Sequence, residues 1–230
     1  MRFPDLADRV AEVQSRIDAA VRRGGHGQKV RIVAVTKTHG PEAAVAAWDA
    51  GIRAVGENKV QEALSKMDEV TVPVEWHLIG HLQRNKAKHA SRFAMVQSMD
   101  SPRLAEALNA AGLAATRRMP VLVQVNVSGE ESKGGFSLES LREHADVLAS
   151  SSGLQVEGVM TMAPFDAPDA VLRATFSGAR SALEILRAGG IESARELSMG
   201  MSGDFEVAVE EGATLVRLGT ILFGARTYNG

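Results

Sequence analysis

Val30-Arg31-Ile32-Val33-Ala34-Val35-Thr36-Lys37 is the stretch whose reading decides the fold, because six of its eight residues are β-branched or small and apolar. Such a run reads as a buried strand of an α/β protein. Turn-formers follow it (Thr38-His39-Gly40-Pro41), and then a helical pattern over residues 42–50. Side chains alternate along a strand, so Lys37 shares a face with Val33 and Val35. An ammonium in apolar company loses hydration, which favours the neutral, nucleophilic amine and suits it to a Schiff base with a carbonyl compound. The plainer alternative is a lysine that snorkels from a strand end into solvent.

Working outward, the strand–helix unit repeats. An amphipathic helix over residues 5–23 precedes the first strand, with Leu6, Val10, Val13, Ile17 and Val21 on one stripe and Gly24-Gly25 ending it. Further strands are expected at residues 51–58, 74–80, 92–98, 119–127, 154–160, 196–199 and 214–219. Helices are expected at 59–70, 84–90, 101–115, 138–150, 167–188 and 204–211, and a loop at 128–135. No Pro-rich or low-complexity linker divides the chain, so one domain spans residues 1–230. Regular β/α alternation implies a parallel sheet. About eight units favour a closed (β/α)8 TIM barrel with an extra N-terminal helix; an open doubly wound sheet is the alternative.

Composition narrows the function classes. Hydrophobic residues make up 45% of the chain and aromatics 4%, so the core must be mostly aliphatic. The 26 basic and 28 acidic residues leave a net charge of −2, with no global field toward nucleic acid or an anionic membrane. There is no cysteine, which excludes disulfides, thiolate metal sites and a cysteine nucleophile. No apolar run approaches membrane-span length and the N-terminus has no signal core, so a cytoplasmic protein is expected.

In a barrel, function sits where strands end. Those ends carry Lys37; Glu57 and Asn58; His77, Gly80 and His81; Ser98 and Asp100; Asn126; Met160; Ser198 to Gly200; and Arg217, Gly219 and Thr220. In Leu197-Ser198-Met199-Gly200-Met201-Ser202-Gly203-Asp204, the glycines admit a ligand to the backbone and Ser202 can cap the next helix. That is either a phosphate site or an ordinary capped β–α turn. A second Gly and hydroxyl, Gly219 and Thr220, follow the eighth strand, and barrel phosphate sites are built from the loops after strands seven and eight.

Other features read more plainly. His77 and His81 lack the convergent third ligand a zinc site needs. The basic run Gln83 to His89 lacks aromatic interleaving and reads as a solvated face. The methionines at 160, 162, 199 and 201 read as packing.

Six segments carry a resemblance to a known family: AVTKTHG (34–40), VGENKVQEA (55–63), WHLIGHLQRNK (76–86), VNVSGEESKGGF (125–136), GVMTMAPF (158–165) and LSMGMSGDFEVAVEEGATLVRLGTILFGAR (197–226). From about residue 29 to 226 the chain resembles the pyridoxal 5′-phosphate homeostasis proteins, single-domain relatives of the alanine racemase N-terminal domain. The resemblance implies a barrel with pyridoxal 5′-phosphate bound through a Schiff base on Lys37. It implies a cofactor-binding set of Lys37, Asn58, His81, Ser198, Gly200, Ser202, Arg217, Gly219 and Thr220. Within it, Ser198, Ser202, Gly219 and Thr220 would hold the phosphate and Arg217 would face the pyridine nitrogen. Lys59 stands where many relatives carry Tyr, His39 where Lys is frequent, and Gly203 where Ala or Asp is common.

A guanidinium stays charged, so Arg217 should leave the ring nitrogen unprotonated and weaken the ring as an electron sink. Racemases of this barrel type take a second base, a tyrosine, from another domain; here the one tyrosine is Tyr228. The implied function is a carrier and buffer of the cofactor that regulates vitamin B6 and amino-acid balance, with no metal and no catalytic residue. Its partners would be pyridoxal phosphate and acceptor apoenzymes, with no nucleic acid or membrane, and the chain would be a monomer. The runner-up is a racemase of the same barrel type; a third possibility is a phosphate-metabolite enzyme with a bare Schiff-base lysine.

Overall fold

The structure, a computed structural model, describes residues 3–127, 129 and 134–224. Lys133, Tyr228 and most of the expected 128–135 loop lie outside the described residues. Eight strands form one closed parallel barrel in sequence order: β1 (Arg31–Val35), β2 (Ala54–Glu57), β3 (Glu75–Leu78), β4 (Met95–Met99), β5 (Met119–Gln124), β6 (Leu154–Met160), β7 (Glu196–Ser198) and β8 (Leu215–Leu218). The barrel closes where β8 pairs with β1, with Val33 beside Arg217 and Ala34 beside Leu218. This excludes the open sheet.

The helices are α1 (Leu6–Gly24), α2 (Glu42–Asp49), α3 (Val60–Glu69), α4 (Pro102–Ala114), α5 (Leu138–Ser150), α6 (Asp169–Ala188), α7 (Phe205–Glu210) and α8 (Thr220–Phe223). Their ends follow local chemistry. Gly25 closes α1 in the left-handed region at φ 71° and donates its N–H to Val21 O. Ser101, followed by Pro102, caps α4, and Ser137 caps α5. The expected polar helix after β3 is instead a 3₁₀ segment, Arg84–Arg92. Its buried residues, Ala87 and Ala90, are three apart, the spacing that eclipses in a 3₁₀ helix.

The last crossover departs from a regular barrel. Only the four-residue α8, absent from the sequence reading, follows β8, and α1 packs against α7 and α8. Arg9 donates to Leu222 O at 3.1 Å, and Arg16 and Arg23 pair with Glu206 and Glu210 at 2.7 and 2.6 Å. Gly24 lies so near the Glu210 carbonyl that a Cβ would fall 2.4 Å from its oxygen. The extra helix thus does the covering that a long eighth helix would otherwise do.

Two apolar regions hold the molecule. The larger lies between sheet and helices and includes Ile17, Phe93, Leu108, Leu141, Phe176 and Phe205. Burying each such side chain contributes about 1.5–3 kcal/mol. The smaller fills the barrel interior with Val33, Ala54, Met95, Leu122, Met160 and Leu215. That inner plug makes the barrel a packed core rather than a pore.

Candidate functional site

β1 ends at Val35, two residues earlier than expected, and Lys37 sits in the turn beyond it, half-buried. The strand still sets its direction, because Val33 is in the barrel interior and alternation brings Val35 and Lys37 to the same side. Thr36 makes the last ladder bond, N–H to Gly56 O at 3.1 Å, and its carbonyl then accepts from His39 N at 3.1 Å. His39 packs against Phe3 and Phe223, with ring centroids 5.6 and 5.2 Å away. The start of α1 and the end of α8 therefore brace the lysine turn.

Arg217 lies on β8, next to Val33 of β1, and is buried inside the barrel. Nη1 donates to Ser198 Oγ at 2.7 Å and Nη2 to Thr161 O at 2.8 Å. Burial pushes the guanidinium down to about 10 and the charge of Asp204 works against that, so it is a cation at neutral pH. Asp204 is pushed up by burial and pulled down by the Met201 N–H and by Arg217.

Ser198 is fully buried, and its hydroxyl donates to Gln97 Oε1 at 2.6 Å while accepting from Arg217. A hydroxyl has one proton, so this one is not available to a phosphate. The expected phosphate role of the Ser198 side chain is therefore corrected: Ser198 orients Arg217. Gly200 has a different reason to be glycine than expected. It takes φ 89° and packs on α7, where a Cβ would fall 2.6 Å from Ala208 Cβ, and its carbonyl accepts from Arg217 N.

Ser202 does not cap α7. Met201 N donates to Asp204 Oδ1 there, and Ser202 Oγ accepts from Ile221 N at 3.3 Å. That contact joins the β7–α7 loop to the start of α8, with Thr220 exposed beside it and Gly219 packed 3.4 Å (as a built Cβ) from Val35 Cβ. Ser202, Gly219 and Thr220 thus gather on one edge of the mouth, close to the end of β1.

Asn58, half-buried, follows β2, and its backbone lies directly against Gly80. His81 is exposed and its Nδ1 meets Asp100 Oδ2 at 2.9 Å. His77 is buried inside the barrel with Nδ1 2.8 Å from Gln97 Nε2. The two histidines thus belong to different environments, and among the described residues no group of three or more His, Cys, Asp or Glu could hold a metal ion.

A second buried network was missed by the sequence reading. Behind the lysine turn, Lys66 of α3 donates to Thr36 O at 2.9 Å, Glu57 Oε1 at 2.7 Å and Glu62 Oε1 at 2.8 Å. Burial pushes the Glu57 carboxyl up, with hydrogen bonds from Lys66 and Thr36 pulling back, and its Oε2 has no partner among the described residues. The available signal was a lysine on the buried stripe Val60–Ala63–Lys66, four residues after a glutamate.

A parallel barrel with an amine at the end of the first strand, a buried guanidinium on the eighth and hydroxyls on the β7 and β8 loops defines a class. The alanine racemase N-terminal domain family matches residues 9–227. The pyridoxal phosphate homeostasis protein of Aquifex aeolicus is 37% identical over 227 residues, spanning 97% of this chain and 100% of that one. That of Pseudomonas aeruginosa is 40% identical over 226 residues, spanning 97% and 96%. PipY of Synechococcus elongatus PCC7942, solved with PLP bound, is 35% identical with a TM-score of 0.84, covering 95% of this chain and 100% of that one. The chain belongs to the pyridoxal phosphate homeostasis protein family. Among the described residues no helix is long and apolar enough to cross a membrane.

Proposed function

We propose that the protein binds pyridoxal 5′-phosphate with Lys37 as its attachment point, and acts as a cytoplasmic, monomeric carrier and buffer of the cofactor. The whole chain forms one binding unit whose release of cofactor to acceptor apoenzymes regulates vitamin B6 and amino-acid balance. The observation that carries this reading is the pairing of Lys37 with Arg217 on neighbouring strands, the guanidinium being fixed by Ser198 and Thr161.

The donor set fits the cofactor. A primary amine suits its aldehyde, a permanent cation suits a ring nitrogen left as an acceptor, and Ser202, Gly219 and Thr220 suit its phosphate. Asn58 and His81 line the opposite side of the same mouth. When bound, pyridoxal phosphate supplies an aldehyde that condenses with amines and a ring that can draw electrons. Arg217 cannot return a proton to the ring nitrogen, so this chain's residues bind and orient the group without reinforcing its electron demand.

The test is borohydride reduction of the protein equilibrated with pyridoxal phosphate, followed by peptide mass spectrometry. The pyridoxyl group is expected on Lys37 and absent from Lys37→Ala. Labelling confined to Lys59 or Lys133 overturns the assignment.

One observation favours a second reading. His81 and Asp100 form an imidazole–carboxylate pair at the mouth, a pairing suited to proton transfer, as a racemase of this barrel type needs.

A further inference from the structure

The turn bearing Lys37 is held in a conformation its own residues disfavour. The Thr36 O to His39 N bond makes Lys37 the second and Thr38 the third residue of a four-residue turn. Thr38 has φ 68°, the value that a type II turn requires at its third position and that glycine or asparagine normally supplies. For a β-branched residue it is strained.

The buried network grips this turn on both sides of the lysine. Lys66 Nζ holds the carbonyl one residue before Lys37, at 2.9 Å. Glu62 Oε1 holds the N–H one residue after it, Thr38 N, also at 2.9 Å. Lys66 and Glu62 are themselves paired at 2.8 Å, and Glu57 Oε1 takes both a Lys66 proton and the Thr36 hydroxyl. An ammonium has three protons, and all three of these are committed, so Lys66 is not a second attachment point.

We propose that Lys66 and Glu62 are positioning residues: they hold the strained Thr36–His39 turn so that the Lys37 amine faces the cofactor aldehyde. This rests on the reading of Lys37 as attachment point. Attachment forms a C=N bond between the neutral Nζ and the aldehyde carbon and releases one water. Lys66 and Glu62 take no part in that bond and act only through the backbone around Lys37.

Glu62 is partly exposed, with 29% of its side chain accessible, so its substitution tests the idea without emptying the core. Glu62→Ala, Glu62→Gln, and Glu62→Ala with Thr38→Gly are compared with wild type. The readouts are pyridoxal phosphate affinity, the fraction of Lys37 trapped by borohydride, and thermal melting. Glu62→Ala is expected to lose about tenfold in affinity, the worth of one hydrogen bond to a charged group, and to trap less Lys37. Glu62→Gln keeps an acceptor for Thr38 N and recovers most of that loss. Thr38→Gly removes the strain and recovers it by a different route, whatever it does to melting. Unchanged binding in Glu62→Ala, or a loss that neither substitution recovers, overturns the proposal. Wild type that traps no cofactor on Lys37 removes the underlying reading as well, and that arm is read before any variant.

Discussion

Arg217 Nη1 donates to Ser198 Oγ at 2.7 Å inside the barrel, where both side chains are buried. The serine then passes its own proton to Gln97 Oε1, and Gln97 Nε2 donates to His77 Nδ1. That order makes Nδ1 an acceptor and leaves the neutral ring's proton on Nε2, which faces Glu75 Oε2 at 3.8 Å near the start of β3. A polar chain therefore runs through the barrel to the arginine, each member fixing the next.

Ser198→Ala breaks that chain in the middle. It leaves the guanidinium and the Gln97 carbonyl each short of a buried partner, at a cost of about 1–3 kcal/mol. Urea unfolding should report that loss. Affinities for pyridoxal phosphate and for pyridoxal should fall by similar factors, because Ser198 holds Arg217 and not the phosphate. A loss confined to the phosphorylated ligand would return Ser198 to the phosphate site.

Ser202→Ala with Thr220→Val should behave in the opposite way. Hydroxyls bonded to a charged group contribute roughly 1.5–3 kcal/mol each. Pyridoxal phosphate affinity is expected to fall sharply while that for pyridoxal hardly changes and stability stays near wild type. Calorimetric titration of both ligands measures the difference; equal losses would place the phosphate elsewhere.

The anchoring of α1 should depend on pH. Hydrogen bonds from Arg173 and Arg23 hold the Glu210 carboxyl below the ordinary carboxylate value. A depressed folded value means that the stabilisation is present above the unfolded value and is lost as pH falls through the folded one. The arginines are half-exposed, so about 1 kcal/mol is expected at neutral pH. The stability gap between wild type and Glu210→Gln should close as urea titrations move to acid pH. A gap that does not change with pH would rule out this linkage.

Turnover separates the carrier from the racemase. Loaded with pyridoxal phosphate, the protein is expected to convert L-alanine to D-alanine inefficiently, since Arg217 leaves the ring a weak electron sink. Chiral chromatography measures this. Efficient racemisation, lost in both Lys37→Ala and His81→Ala, would establish the enzyme and give the His81–Asp100 pair its role.

The sequence by itself determined the barrel, the direction of Lys37 and the gathering of the β7 and β8 loops. These follow from patterns local along the chain: apolar runs of strand length, alternation with helices, and glycine and hydroxyl residues where strands stop. Residues 154–160 and 138–150 could be read to the residue because the period and the Ser137 cap agree there. The tertiary structure alone decided what the buried polar groups do. A hydroxyl's role depends on who takes its proton, and the partners of Ser198 are 19 and 101 residues away. Lys66 is likewise an ordinary helical lysine until the closed barrel brings Thr36 and Glu57 against it, 30 and 9 residues distant. Pattern along a chain reports which face is buried; only closure in space assigns each buried donor its acceptor.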